Sequence, residues 1–299
     1  MGSLDGRVAI VTGAGRGLGR EHALLLAAEG AAVVVNDVGA GTDGAGTTAT
    51  PAEQVVEEIL QAGGKASANA DDIAEEAGAE AVVQQALEQH GGLHVLVNNA
   101  GILRDRTIVS MTTDEWDDVV RVHLRGHFLP TRAAARWWRA QSKEGTPVAA
   151  SVINTASTSG LFANPGQANY GAAKSGIATF TQIAQAELGR YGVRCNAICP
   201  AGRTRLSLSA PGMEEALAPP ESGFDKNDPA NVSPFVGYLA TESCPIAGRV
   251  FFVYGGEVHL IQPWTAVAAI SSDERWTVTG LAGAAAHLAD VELDVNVPF

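Results

Sequence analysis

Short runs of strand-forming residues alternate with longer Ala/Leu/Glu-rich stretches, which predicts an α/β fold: a single doubly wound parallel sheet with helices on both faces and a C-terminal extension. Two observations narrow this. A glycine-rich turn, VTGAGRGLGR, follows the first run directly and opens the first helical stretch, and no repeat, heptad or composition shift marks a second core. The 299 residues, 46% hydrophobic and 18% charged, suit one large sheet and exclude a disordered or fibrous chain.

In chain order, strands are predicted at Arg7 to Val11, Ala32 to Asn36, Lys65 to Ala70, Leu93 to Val97, Ser151 to Asn154, Val193 to Cys199 and Arg249 to Tyr254, most of them Val- and Ile-rich. Helices are predicted between them at Leu18 to Glu29, Glu53 to Gln61, Glu75 to Gln89, Glu115 to Arg139, Ala168 to Arg190 and Pro229 to Ala240. Gly30 and Gly63 stand where helix-ending glycines belong, and Thr112 with Glu115 forms a candidate capping box. Three regions break the rhythm. Gly39 to Pro51 is a Gly/Thr-rich insertion expected on the surface; Leu206 to Asp228, carrying Pro211, Gly212, Pro219, Pro220 and Gly223, is a candidate lid; and the tail holds one helical stretch, Gly280 to Leu288. Residues 1–258 are therefore expected as the catalytic domain and 259–299 as an extension packed on it or on a partner subunit.

A net charge of −13 argues against nucleic acid and anionic membrane partners. Cys195, Cys199 and Cys244 lack metal-ligand spacing, so no metal site is expected, and the first two, four apart on one strand, lie too far apart to bridge. With no secretory leader pattern and no membrane-length apolar run, the expected compartment is cytoplasmic.

Gly13, Gly15, Gly17 and Gly19 sit between a strand and a helix, where the backbone can approach a pyrophosphate and the helix N-terminus offers free N–H groups to it. Asp37 ends the second strand, 24 residues after Gly13. A carboxylate there accepts hydrogen bonds from adenosine ribose hydroxyls and repels a 2′-phosphate, so the expected cofactor is NAD, with NADP less favoured. Arg16 in the glycine turn pulls toward NADP. This is the signature of a Rossmann-type dinucleotide site.

At the other end, Ser157, Tyr170 and Lys174 stand in INTASTSGLFANPGQANYGAAKSG. Tyr170 and Lys174 are four apart on a predicted helix and project from one face. An ammonium beside a phenol favours phenolate, giving an acid/base group, and Ser157 at a strand end can donate to the oxygen of a reacting carbonyl.

TGAGRGLG at Thr12 to Gly19, NNAG at Asn98 to Gly101 and the Ser157/Tyr170/Lys174 set together resemble the classical short-chain dehydrogenase/reductase family, in order and spacing, over about Gly6 to Gly256. The resemblance implies that Gly13, Arg16, Gly17, Leu18 and Gly19 cradle the cofactor, that Asp72 and Ile73 flank its adenine, with Asp71 the alternative carboxylate, and that Asn98, Ala100 and Gly101 stabilise the sheet beside it. It also implies that Tyr170 and Lys174 contact the nicotinamide ribose and that Thr204, in PAGRT, approaches the carboxamide, although PAGRT departs from the family's Pro-Gly pair. Where the family commonly uses an Asn to hold a water relay to the lysine, this chain has His123. GILRDRT, WDDVVRVHLRGHF and GLFANPGQANYGAAK are similar to the (3R)-hydroxyacyl-CoA dehydrogenase modules of peroxisomal multifunctional enzymes and their bacterial relatives.

The implied activity is NAD-dependent interconversion of a secondary alcohol and a ketone on a 3-hydroxyacyl-CoA, including steroid-derived acyl groups. Alternatives are an NADPH-dependent 3-oxoacyl thioester reductase, a steroid dehydrogenase and, from another class, a non-catalytic dinucleotide sensor. Leu161 and Gln167 are the candidate substrate-binding residues, and Arg104, Arg106, Arg203 and Arg205 are candidates for a coenzyme A carrier at the pocket mouth. A homodimer or homotetramer is expected through the two long helices, with Trp137, Trp138, Phe180 and Ile183 at the contact.

Overall fold

The computed structural model describes residues 2–41, 43–44, 46, 50–208 and 212–292. Met1–Leu260 forms one compact unit and Ile261–Phe299 a second. An eight-stranded sheet runs in the order β3-β2-β1-β4-β5-β6-β7-β8, with β1 Val8–Thr12, β2 Ala32–Asn36, β3 Lys65–Asn69, β4 Val95–Asn98, β5 Ala150–Thr155, β6 Val193–Ala201, β7 Val250–Tyr254 and β8 Glu257–Ile261, the last strand ending at the unit boundary. From β3 through β7 every neighbour pairs in parallel. The order reverses between β1 and β4, and a crevice opens at such a switch point above the strand carboxyl ends.

Both faces of the sheet are covered, which explains the nearly unbroken apolar strands. Ala9, Val11, Val33, Val35, Val95 and Val97 feed one core layer, while Val8, Ile10, Val34 and Leu96 feed the other. The first layer is closed by α1 Gly17–Ala28, α2 Thr50–Gln61 and α10 Ser233–Ala240; the second by α3 Glu76–His90, α5 Gly126–Lys143 and α7 Ala168–Leu188. In α2 the stripe Ala52, Val55 and Ile59 is buried while Glu53 and Glu57 face water, the 3.6-residue pattern of a helix on a sheet. The remaining helices are short: α4 Thr113–Val120, α6 Thr158–Leu161, α8 Arg205–Leu208 and α9 Met213–Ala216, the last two within the candidate lid. In the C-terminal unit α11 spans Val278–Ala289, capped by Thr277, whose Oγ1 accepts from the Gly280 N–H at 3.0 Å.

Several expectations change. The predicted helix Glu115 to Arg139 is two helices, α4 and α5, joined by a π-helical turn at Arg121–Arg125. Pro130 gives the reason: its ring crowds the carbonyl four residues back, at Gly126, and it offers no N–H there, so the helix loosens just upstream. The capping box at Thr112 and Glu115 forms in both directions. β8 was not anticipated; VFFVY-GG-EVHLI is a two-residue hairpin with Gly255 at φ +54°, and that Gly-Gly pair was the available signal. Trp138, expected between subunits, is fully buried and donates through Nε1 to the Leu93 carbonyl at 2.7 Å. Cys195, Cys199 and Cys244 are free and buried. Pro211, part of the Gly39 to Pro51 insertion and the last seven residues lie outside the described residues. No described helix is long and apolar enough to cross a membrane.

Candidate active site

A cavity of about 460 Å³ lies above the carboxyl ends of β1, β2 and β4. Gly13, Arg16, Gly17, Leu18 and Gly19 form one wall, Asp37, Asp72 and Ile73 another, and Ala100, Gly101 and Thr204 close it. Gly13 and Gly17 hold φ of +61° and +54°, and a Cβ at Gly13 would sit 2.7 Å from the Ala100 Cα. Only glycine lets the turn come this close to the end of β4. The turn, the helix N-terminus behind it and the wall carboxylate fit a dinucleotide.

Both Asp37 oxygens are anchored: Oδ2 accepts from the Gly15 N–H at 2.8 Å and Oδ1 from the Gly39 N–H at 2.7 Å. Arg16 shares this wall and its Nη1 donates to the Ala40 carbonyl at 3.5 Å. Arg205, expected at the mouth for a thioester carrier, instead lines this cavity within Coulombic reach of Arg16 and Asp37. Asp72 Oδ1 accepts from the Ala74 N–H at 2.9 Å and Oδ2 from Arg121 Nη1 at 2.8 Å. Of the two carboxylates weighed, Asp72 faces the cavity, while Asp71 takes the Asn69 amide at 2.7 Å.

Asn98 does not reach the cavity. Its Nδ2 donates to Asn154 Oδ1 at 2.9 Å and Thr131 Oγ1 at 3.0 Å, tying β4 to β5 and α5. Asn99, which the motif contained but which was not singled out, lines the cavity and donates to the carbonyls of Thr12 and Gly13 at 3.0 and 3.1 Å. Ala40, Gly41, Gly44 and Gly46 of the insertion line it too, so the segment expected only as surface also walls the crevice.

The structure brings Ser157, Tyr170 and Lys174 together. Ser157 caps α6, its Oγ accepting from the Ser159 N–H at 3.2 Å, and its side chain hydrogen-bonds Tyr170. Lys174, 2% exposed, has Nζ 5.5 Å from the Tyr170 ring centroid and donates to the Thr155 carbonyl at 2.5 Å. The electrostatics differ from the sequence expectation. Burial pushes Tyr170 up to about 12, opposed by the Ser157 hydrogen bond, and pulls Lys174 down to about 7. Desolvation is the largest cause of both shifts.

His123, on the π-helical turn, meets the Tyr170 ring edge-on at 5.1 Å, and its Nε2 lies 2.8 Å from the Ile102 carbonyl oxygen. A Cβ at Gly101 would lie 2.3 Å from the His123 Cε1, so this glycine admits the imidazole. Gln167 donates to Asp105 Oδ2 at 2.8 Å, and Leu161 ends α6, half-buried; neither lines the dinucleotide cavity. Arg104 faces Asp118 at 3.4 Å, Arg106 faces Glu115 at 3.4 Å, and Arg203 pairs with Asp225 at 2.5 Å, which neutralises it as an anion site.

The sequence matches the family model described as short chain dehydrogenase over residues 7–207. It is 46% identical over 268 residues to a hydroxyacyl-CoA dehydrogenase of Mycobacterium tuberculosis, covering 87% of this chain and 81% of that protein. It is 43% identical over 252 residues to the peroxisomal multifunctional enzyme type 2 of Mus musculus, covering 84% of this chain and 32% of that longer enzyme. The solved structure of a short chain dehydrogenase from Mycobacterium avium superposes with a TM-score of 0.86 at 45% identity, covering 97% of this chain and 96% of that one. A Rossmann sheet, a glycine cradle at its switch point and a family match across two thirds of the sequence lead to one conclusion: the chain belongs to the short-chain dehydrogenase/reductase family, oxidoreductases that act on CH–OH groups with NAD(P).

Proposed function

We propose that this enzyme is an NAD-dependent dehydrogenase of 3-hydroxyacyl-CoA thioesters. The observation that supports the reading is Ser157, Tyr170 and Lys174 gathered next to His123, whose ring packs on Gly101 of a cavity whose wall carries the anchored Asp37. Asp37 would accept the adenosine ribose hydroxyls and repel a 2′-phosphate, which supports NAD. The acyl-CoA substrate follows from similarity to the mycobacterial hydroxyacyl-CoA dehydrogenase. Bound NAD would supply the hydride acceptor for the carbinol carbon.

The chain's own residues do the rest. Ser157 donates to the substrate oxygen and fixes it near Tyr170, and Tyr170 as phenolate takes the hydroxyl proton. Lys174, as ammonium, holds the ribose and favours the phenolate. Gly13, Arg16, Gly17, Leu18 and Gly19, which line the cavity, would cradle the pyrophosphate, with Asp72 and Ile73 as the residues to hold the adenine and Thr204 the carboxamide. Leu161 and Gln167 border the acyl group. Phe128 and Ile183, 43% and 52% exposed on α5 and α7, suit a homodimer or homotetramer contact. Three unpaired buried thiols suit the reducing cytoplasm.

The test follows absorbance of reduced nicotinamide with 3-hydroxyacyl-CoAs and steroid alcohols, each with NAD and NADP. Turnover of the thioester with NAD is expected; a preference for NADP or for free steroid alcohols overturns the corresponding half. Tyr170→Phe is expected to keep NAD affinity and lose about 10²–10⁴-fold in kcat. Unchanged turnover removes the catalytic assignment, and an absence of turnover on every alcohol favours a dinucleotide sensor.

A further inference from the structure

Close to Lys174 lies a cluster of buried polar groups that the proposed reaction does not use. His127, the second residue of α5 and two positions past the π-helical segment, is 1% exposed, and neither of its ring nitrogens makes a hydrogen bond. The carbonyls of His123, Asn98 and Thr155 turn toward the ring without closing one. Asn98, fully buried, leaves Oδ1 unpartnered, while its Nδ2 binds Thr131 and Asn154. The Thr155 carbonyl is the same atom that accepts from Lys174 Nζ. The Thr155 carbonyl therefore links the lysine to a ring with two open valences, next to an amide oxygen with another on the neighbouring strand.

Unpaired buried polar atoms destabilise a fold, and an internal water typically closes about three such valences. One water would close them in balance, accepting from the Lys174 ammonium and donating to Asn98 Oδ1 and to one imidazole nitrogen. The other imidazole nitrogen, as N–H, then faces the carbonyls. We propose that His127 is a positioning residue for Lys174: its imidazole, with Asn98 Oδ1, holds ordered water against the lysine and keeps it an ammonium during turnover. The inference rests on the dehydrogenase reading, which needs a charged Lys174 in a site where burial opposes that charge. The titratable groups facing the lysine are Tyr170 on its own helix, Cys199 on β6, and His123 and His127 from the π-helical turn and α5. His127 alone combines titratable nitrogens with two unmet valences.

The test compares His127→Phe, which removes the acceptor at similar volume, with His127→Gln, which restores one. The chain has four lysines, so ¹³C-lysine NMR of the cofactor-free protein can follow Lys174, assigned by its loss in Lys174→Met. His127→Phe is expected to lower the Lys174 titration by about one pH unit and to move the alkaline limb of kcat toward neutrality equally. His127→Gln is expected to keep both near the parent. If His127→Phe does not fold, His127→Leu is expected to give the same shift. Titration and alkaline limb unchanged in a folded apolar variant, or equally shifted in His127→Gln, overturn the proposal. Tyr170→Phe, measured alongside, separates the failures: retained turnover there removes the dehydrogenase reading, whereas a dead Tyr170→Phe with an unmoved His127→Phe removes only the role of His127.

Discussion

Asp37 shows how far a single residue can be read. Its position at a strand end after the glycine turn was visible in the sequence, and the structure adds that two backbone N–H groups fix both of its oxygens. Asp37→Ala removes the carboxylate while Arg16 and Arg205 remain on the same wall. The ratio of kcat/KM for NADP over NAD is expected to rise by about tenfold or more, since one unpaired like-charge contact is worth on the order of 1.4 kcal/mol. Steady-state rates with both cofactors check it, and an unchanged ratio would mean that Asp37 does not face the ribose. Ser157, Tyr170 and Lys174 were legible for a similar reason, because strand-end placement and helical spacing fix which side chains meet. The acidity of Tyr170 was not. It depends on how much water the fold removes, and no spacing rule contains that quantity.

At the scale of elements, alternation gave seven of the eight strands and each of the larger core helices because every one carries its own apolar periodicity. The break between α4 and α5 was hidden, since a π-helical turn leaves the apolar pattern nearly intact and only Pro130 betrays it. Trp138 was misread for a related reason: on a helix with apolar residues beyond one face, the sequence does not say which face meets the sheet. Its indole N–H donates to the Leu93 carbonyl at the entry to β4. Trp138→Phe keeps most of the volume but leaves that carbonyl without its partner. The unfolding free energy is expected to drop by about 1–3 kcal/mol, with kcat unchanged. A urea midpoint equal to the parent's would show that the bond contributes nothing net.

For the whole molecule, the buried neutral groups set a pH window that composition cannot reveal. Burial holds His22 and His127 down to about 3, and His123 well below its usual range. In the unfolded chain each ring takes a proton near pH 6.5, so each contributes stability that is full above that pH and lost as the pH falls toward the folded value. Three rings together cost about 4 kcal/mol per pH unit inside the window. On the alkaline side, Cys195, Cys199 and Tyr170 are pushed up to about 12, and the stability they contribute is lost as the pH climbs past their unfolded values of roughly 9–10. Lys174 acts oppositely: its folded value near 7 penalises folding below about 10, and that penalty eases as the pH rises from 7. The balance places maximal stability on the alkaline side of neutrality, well above the isoelectric point of about 4.9. Urea unfolding near pH 5 is expected to show a net uptake of protons, about one of them from each of these three rings. In His22→Gln, which touches Ser233 on α10 and neither the cofactor cavity nor the Tyr170 site, that uptake is expected to fall by about one proton, with turnover unchanged. An uptake that stays the same in the variant would show that the ring beside Ser233 is already protonated in the native protein, and that burial does not hold it neutral.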